Sequence, residues 1–332
     1  MKSTFPLKPD KVIIYSEPLT MIVITVTNIL NQKRVIDVVK RLRAVEERLW
    51  AEGGKISYTN LSRKTLFLVF VLIGGEATMM IYYFSTTIYT ADATRFTALS
   101  TWFWLFLPIT ITSLARVWFI VLMDITELFF SAINQILDTT ADTLETQSGF
   151  PAKKFPMEPI FDEFLGQKLM RLCHLHAEVG KISLDINRIF HLENLLAMLF
   201  TILLTVTQMY FIYLSALSQQ VPPLFRAADS FIISVYYTLF GLWKVFYVIF
   251  VASEVKRRAQ LTGSSLHQIA IAVDEVPCYR LTNQLSLQIW QQRLEFPVGG
   301  FFLLDMTTIG SCSGAILVYV IILIQFNLAG GS

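Results

Sequence analysis

Five stretches of this sequence carry at most one charge over the length a helix needs to cross a bilayer: residues 65–89, 101–123, 195–217, 231–251 and 306–326. A hydrocarbon core asks for about 20 apolar residues in a helix. A sixth stretch, 12–30, is weaker, because Glu17 and Pro18 interrupt it before the apolar run from Leu19 to Leu30. The overall composition agrees: 54% of the 332 residues are hydrophobic and 16% are charged, whereas soluble domains carry about 25% charged residues. The sequence therefore predicts an all-α, polytopic membrane helix bundle.

Charge placement orients the spans. Nine basic residues lie in linker 31–64 (Lys33, Arg34, Lys40, Arg41, Arg43, Arg48, Lys55, Arg63, Lys64). Six lie in linker 127–194, and five between Ala252 and Asp305. The loops on the other side carry one each, Arg95 and Arg226. Basic loops stay in the cytoplasm, so these linkers are expected to be cytoplasmic and the C-terminus extracellular. A cytoplasmic N-terminus then requires one further helix ahead of Met1; the alternative is six spans with an external N-terminus.

The basic linkers have helical periodicity. Phe161, Phe164, Leu165, Leu169, Leu172, Leu175, Val179, Ile182, Ile186 and Ile189 recur at steps of three and four, the mark of an amphipathic helix. Val35, Val38, Val39, Leu42, Val45 and Leu49 form a second stripe, and Leu281, Leu285, Ile289, Trp290 and Leu294 a third. Such stripes bury their apolar faces by packing together, which predicts long helices meeting in a cytoplasmic anchor domain. Breaks are expected at 148–151 and 156–159, and Phe296–Phe301 reads as a hinge into the last span, with Asp305 as its cap.

The last span ends Tyr319, five hydrophobic residues, Gln325-Phe326. This resembles the closing signature of the insect gustatory receptor family, with Val318 in place of the usual threonine. Residues 301–305 and Asn187-Arg188-Ile189-Phe190 also resemble family segments, and helix order, linker lengths and charge asymmetry follow the family over most of the chain, with the first helix lacking. The resemblance implies a subunit of a ligand-gated cation channel in the plasma membrane, opened by a small-molecule tastant. It implies a homo- or hetero-tetramer whose pore is lined by the last helix, with a ligand pocket in each subunit. In this scheme residues 1–251 form the outer bundle, and 252–332 hold an anchor helix and the pore helix.

Several residues acquire candidate roles. Ser311, Ala315, Val318, Ile322 and Gln325 share one helical face, polar at its ends and apolar in its middle, as a dewetting gate requires. Tyr319 and Phe326 flank it, and an ordinary buried helix is the alternative. Glu76 lies inside a span, with Arg116 and Lys244 as possible partners, in a structural ion pair or in ligand and gate coupling. Tyr82, Tyr83, Trp102, Trp104, Gln208, Tyr210, Tyr236 and Tyr237 fall in the outer halves of spans, as a pocket for a partly polar ligand or as an interfacial aromatic belt.

No phosphate loop, nucleophile elbow or zincin motif is present, so neither an enzyme nor a cofactor is expected. His174 and His176 point about 200° apart on a helix and do not share a metal. Nucleic-acid binding has no support beyond the basic loops. A G-protein-coupled receptor would place the C-terminus inside, against the charge count, and a transporter would show paired repeats. A truncated, non-functional receptor is the remaining alternative.

Overall fold

The computed structural model describes residues 9–90, 95–148, 159–216, 231–272, 276–291 and 293–330. They form α1 (Pro9–Ala51), α2 (Thr59–Thr90), α3 (Arg95–Ser148), α4 (Pro159–Ala216), α5 (Phe231–Ala272), α6 (Val276–Gln291), a hairpin of β1 (Pro297–Val298) and β2 (Phe302–Leu303), and α7 (Met306–Gly330). Lipid offers the backbone no hydrogen bonds, so a spanning segment must satisfy its own, and helices do this within one segment. Among the described residues, α2, α3, α4, α5 and α7 contain stretches long and apolar enough to cross a membrane. The weaker segment 12–30 lies within α1, which stays helical through Pro18. The breaks at 148–151 and 156–159 fall almost wholly outside the described residues.

Helix length shows that the bilayer accounts for only part of each rod. α4 has 58 residues, about 87 Å of helix, against a hydrocarbon core of about 30 Å. The surplus lies at the basic end, where α1, α3, α4 and α5 converge on one core. Leu42, Val45 and Leu49 of α1, Phe129 and Ile133 of α3, Leu169, Val179 and Ile182 of α4, and Val255 and Leu266 of α5 are all buried there. The α4 stripe is this core's axis, as its periodicity predicted. Three expected members turn outward: Val39, Phe164 (61% exposed) and Trp290 (65% exposed). Each adjoins a buried neighbour, Val38, Leu165 or Ile289, that holds the seam position instead.

Polar contacts set the register of this packing. Arg41 meets Asp185 at 2.7 Å, Arg48 meets Glu178 at 2.6 Å and Arg171 meets Glu52 at 2.7 Å, an antiparallel ladder between α1 and α4. Such half-exposed pairs contribute little stability, about 0–1 kcal/mol each, but they disfavour slippage. Inside the core, Asn134 of α3 donates to the Arg258 carbonyl at 3.0 Å and accepts from the Thr262 hydroxyl at 2.6 Å. His176 Nε2 lies 3.0 Å from the Ala259 carbonyl, which can only accept, so this nitrogen carries the proton. Its ring also meets Phe130 edge-on. His176 therefore ties α4 to α5 and α3, and no cluster suited to a metal exists among the described residues.

The expected hinge at 296–301 is a two-stranded hairpin. Val298 pairs with Phe302, and the chain reverses through Gly299 and Gly300 at φ +58° and +77°, a region that side chains with a Cβ rarely adopt. Asn187 of α4 donates to the Pro297 carbonyl at 2.8 Å, so the anchor grips the hairpin that leads into the last helix. Asp305 then caps α7, accepting from the backbone N–H groups of Thr307 at 3.0 Å and Thr308 at 3.3 Å. The Thr307 hydroxyl, with these N–H groups, holds the Asp305 carboxyl below the usual carboxylate range.

Two outcomes follow from this packing. Ile182→Ala removes a fully buried side chain and is expected to cost about 2–5 kcal/mol, whereas Phe164→Ala is expected to be near neutral; thermal melting of the detergent-solubilised protein compares them. Asp305→Ala should cost about 1 kcal/mol at neutral pH. Because the folded-state pKa is depressed, the cap contributes fully above the unfolded carboxylate value of about 3.9 and is lost as pH falls through the lower folded value. The wild-type and Asp305→Ala melting curves should therefore converge in acid.

Candidate ligand site and pore helix

A carboxylate in a membrane span demands a partner, and three helices supply groups around Glu76. This α2 residue is 3% exposed. Its Oε1 accepts from the Ser113 hydroxyl of α3 and from Lys244 Nζ of α5 at 3.3 Å. The Lys244 ammonium also stands 5.1 Å from the centre of the Phe240 ring. The Phe240 ring of α5 lies against Gly75 of α2, where an added Cβ would fall 2.6 Å from Phe240 Cζ.

Arg116, the other partner anticipated for Glu76, makes no hydrogen bond to it but lines the same small cavity. Glu193 of α4 is 3% exposed and has no hydrogen-bond partner for either oxygen among the described residues. Each of α2, α3, α4 and α5 thus contributes one ionisable side chain to the bundle interior: Glu76, Arg116, Glu193 and Lys244. Sequence reasoning missed Glu193, which lies two residues ahead of the 195–217 run and reads there as a boundary residue. The one signal for it was that the amphipathic stripe continues into the span without a break.

The aromatic and polar residues expected to form a pocket are only partly brought together. Tyr236 stacks on Phe240 at 5.8 Å, Phe240 on Trp243 at 5.8 Å, and Trp243 meets Tyr247 at 5.7 Å, a ladder along α5. Tyr210 stacks on Tyr213 of the same helix at 6.5 Å. Gln208 is buried, with its side-chain carbonyl oxygen unpartnered among the described residues. The cavity beside Glu76 is lined by Met79, Met80, Ile109, Thr112 and Phe240 in addition to the charged groups; Tyr82, Gln208, Tyr210 and Tyr236 are not in its wall. The side chains of Tyr83, Trp102, Trp104 and Tyr237 lie outside the described residues.

The last helix packs on the chain's own bundle through few residues. Thr308 and Ile316 are buried, and Ile309 and Cys312 pack against the core. At about 100° per residue, Ser311, Val318, Ile322 and Gln325 fall within about 60° of one another, off the line of Ile309 and Ile316. All four are exposed, as are Tyr319 and Phe326, Val318 by 55% and Phe326 by 65%. Ala315, expected on the same face, is half-buried, and Gly310, Ser313, Gly314, Leu317 and Ile321 are exposed around the rest of the helix.

Comparison with known proteins places this architecture. The family profile of the 7tm chemosensory receptors matches residues 10–330, and the chain belongs to that family, one of receptors rather than enzymes. It is 26% identical over 381 aligned positions to the gustatory receptor for bitter taste 66a of Drosophila melanogaster, covering 91% of this chain and 72% of that protein. Its fold is similar to that of the insect olfactory receptor OR5 from Machilis hrabei, with a TM-score of 0.67 and 15% identity over 98% of this chain and 83% of the other. The structure of OR5 in complex with eugenol matches with a TM-score of 0.63 and 14% identity, over 94% and 79%. The chain is thus a multi-pass membrane receptor, and the expected all-α bundle is its fold.

The interior charges make a double-mutant cycle informative. Glu76→Leu and Lys244→Met singly each break the pair and are expected to cost about 3–5 kcal/mol, while the two together should recover most of that loss. Thermal melting of the purified variants measures the coupling. A double-variant loss equal to the sum of the two single losses would show that the pair does not act as a unit.

Proposed function

We propose that this chain is a gustatory receptor subunit, a ligand-gated cation channel opened by a small-molecule tastant. It assembles as a homo- or hetero-tetramer in the plasma membrane, with the basic linkers in the cytoplasm and the C-terminal end outside. The observation that supports this reading is the exposure of α7, which packs on the chain's own bundle through few residues and leaves most of its surface to lipid or to a partner. That exposed surface includes Ser311 and Gln325 around an apolar middle at Val318 and Ile322. Four such faces around an axis form a pore with polar ends and a dewettable constriction. Tyr319 and Phe326 flank that constriction at the gate.

Residues 252–332 then form a continuous output unit of anchor helix, hairpin and pore helix, on an outer bundle made by residues 1–251. A groove of about 490 Å³ runs along α6 between Tyr279, Asn283, Leu287 and Gln291, and Leu287 and Trp290 are exposed beside it. This face suits a neighbouring subunit's anchor. Leu66, Phe67 and Phe70 on α2 are exposed and face lipid. Ligand recognition falls to the outer halves of the spans, where Tyr82, Tyr83, Trp102, Trp104, Gln208, Tyr210, Tyr236 and Tyr237 supply stacking surfaces and a few polar groups. The likeness to a bitter-taste receptor makes bitter compounds the first to screen, and the eugenol complex of the structural neighbour adds small phenols.

Whole-cell recording during ligand application tests the reading. A ligand-evoked cation current is expected, and Gln325→Ala should change its ion permeability or its gating. Unchanged permeability and gating in that variant would remove α7 from the pore. A tag fused after Ser332 should label intact cells; labelling only after permeabilisation, with surface delivery shown independently, would reverse the topology.

A further inference from the structure

The cavity beside Glu76 contains two polar atoms that the described residues leave unpartnered. Glu76 Oε2 can only accept a hydrogen bond from a neighbour and Arg116 Nε–H can only donate one, and neither has a partner there. Both residues line a cavity of about 40 Å³. Thr112, in the same wall, donates its hydroxyl proton to the Ile109 carbonyl at 2.9 Å, which leaves its oxygen able to accept. A buried polar group without a hydrogen bond costs about 1–3 kcal/mol, and more when charged.

We propose that this cavity is a binding site for water, held between Glu76, Arg116 and Thr112 in the interior of the membrane bundle. The choice of occupant follows from charge. A cation would meet Arg116 and Lys244, and an anion would meet Glu76. A neutral group that both donates and accepts satisfies Glu76 Oε2 and Arg116 Nε–H together, and Thr112 supplies the third contact that a buried water typically makes. The volume exceeds the roughly 10–15 Å³ that one water requires. The site gives α2 and α3 a bridge that re-forms after small displacements, while the direct contact to Lys244 holds α2 to α5. It is independent of whether the receptor conducts ions.

Two methionines in the wall, Met79 and Met80, report on the site, because radicals produced from bound water by X-ray radiolysis oxidise neighbouring sulfur. The experiment is radiolytic footprinting of the full chain in lipid nanodiscs, read by mass spectrometry. Met123 and Met198 serve as references, since they are similarly buried but absent from the cavity wall. Met80 is expected to be oxidised on the order of tenfold faster than either reference, as a hydrated cavity requires. The Glu76→Leu, Lys244→Met double variant should lose that excess. Equal rates for Met80, Met123 and Met198 in the wild type would show a dry cavity and overturn the proposal, and this comparison does not depend on any variant folding. An undiminished Met80 rate in a folded double variant would overturn it as well, because the charges would not be what holds the water.

Discussion

The hydrocarbon of the bilayer cannot hydrogen-bond a peptide group, and the rest of this structure depends on that constraint. It requires unbroken helices through the membrane, and a helix that continues past the interface keeps its direction. α3, α4 and α5 therefore leave the lipid as rods already aligned. Their basic-end halves need only carry an apolar stripe on the facing side to make a second core in water. The same rods obey two solvents in succession: van der Waals packing and internal hydrogen bonds inside lipid, hydrophobic burial beyond it. The periodic stripe of α4 from Leu165 to Ile189 belongs to the second regime, and the other anchor helices pack around it.

Charge marks the boundary between these regimes. At the basic end Lys64 of α2 reaches Asp124 of α3 at 2.8 Å, and Arg258 of α5 reaches Glu127 of α3 at 3.4 Å. Deeper in the bundle, four helices each place one ionisable side chain, Glu76, Arg116, Glu193 and Lys244, and Glu76 pairs with Lys244. A buried ion pair is seldom worth more than a well-packed apolar replacement. Its structural effect is to make the relative placement of α2 and α5 specific, because a slip of one turn would strand a charge.

The sequence made the anchor legible because the period of the apolar residues is itself a geometric statement. Leu165, Leu169, Leu172 and Val179 are in phase, and the structure buries each of them. Where two apolar residues are adjacent, as in Val38-Val39, Phe164-Leu165 and Ile289-Trp290, the period admits both, and only the neighbouring helices decide which one turns inward. Trp290 illustrates this. Its ring lies over Gly263 of α5, where an added Cβ would come within 2.3 Å of Cδ1, so the glycine makes room for it while most of the indole stays outside the core. Partner choice was likewise only half readable: a membrane carboxylate announces that it needs a cation, but Lys244 and Arg116 are equivalent in sequence. The seating of the Phe240 ring on Gly75 accompanies the pairing of Lys244, four residues further along α5, with Glu76. The hairpin after Phe296 was read as a hinge because two residues per strand leave no alternation to detect.

The last helix shows how far one chain can be understood by itself. Apolar exposure on α7 carries no information, since lipid solvates Leu317 and Ile321 as well as protein would. Polar exposure does. The hydroxyl of Ser311 turns back to the Thr307 carbonyl at 3.4 Å and so tolerates an apolar neighbour. The Gln325 amide lies about 29 Å further along the helix than Met306 and is exposed. An amide so placed is stable where water or another polar side chain meets it. In the proposed tetramer the symmetry axis provides that place, and the apolar positions Val318 and Ile322 between the two polar ends then face one another across the narrowest part of the pore.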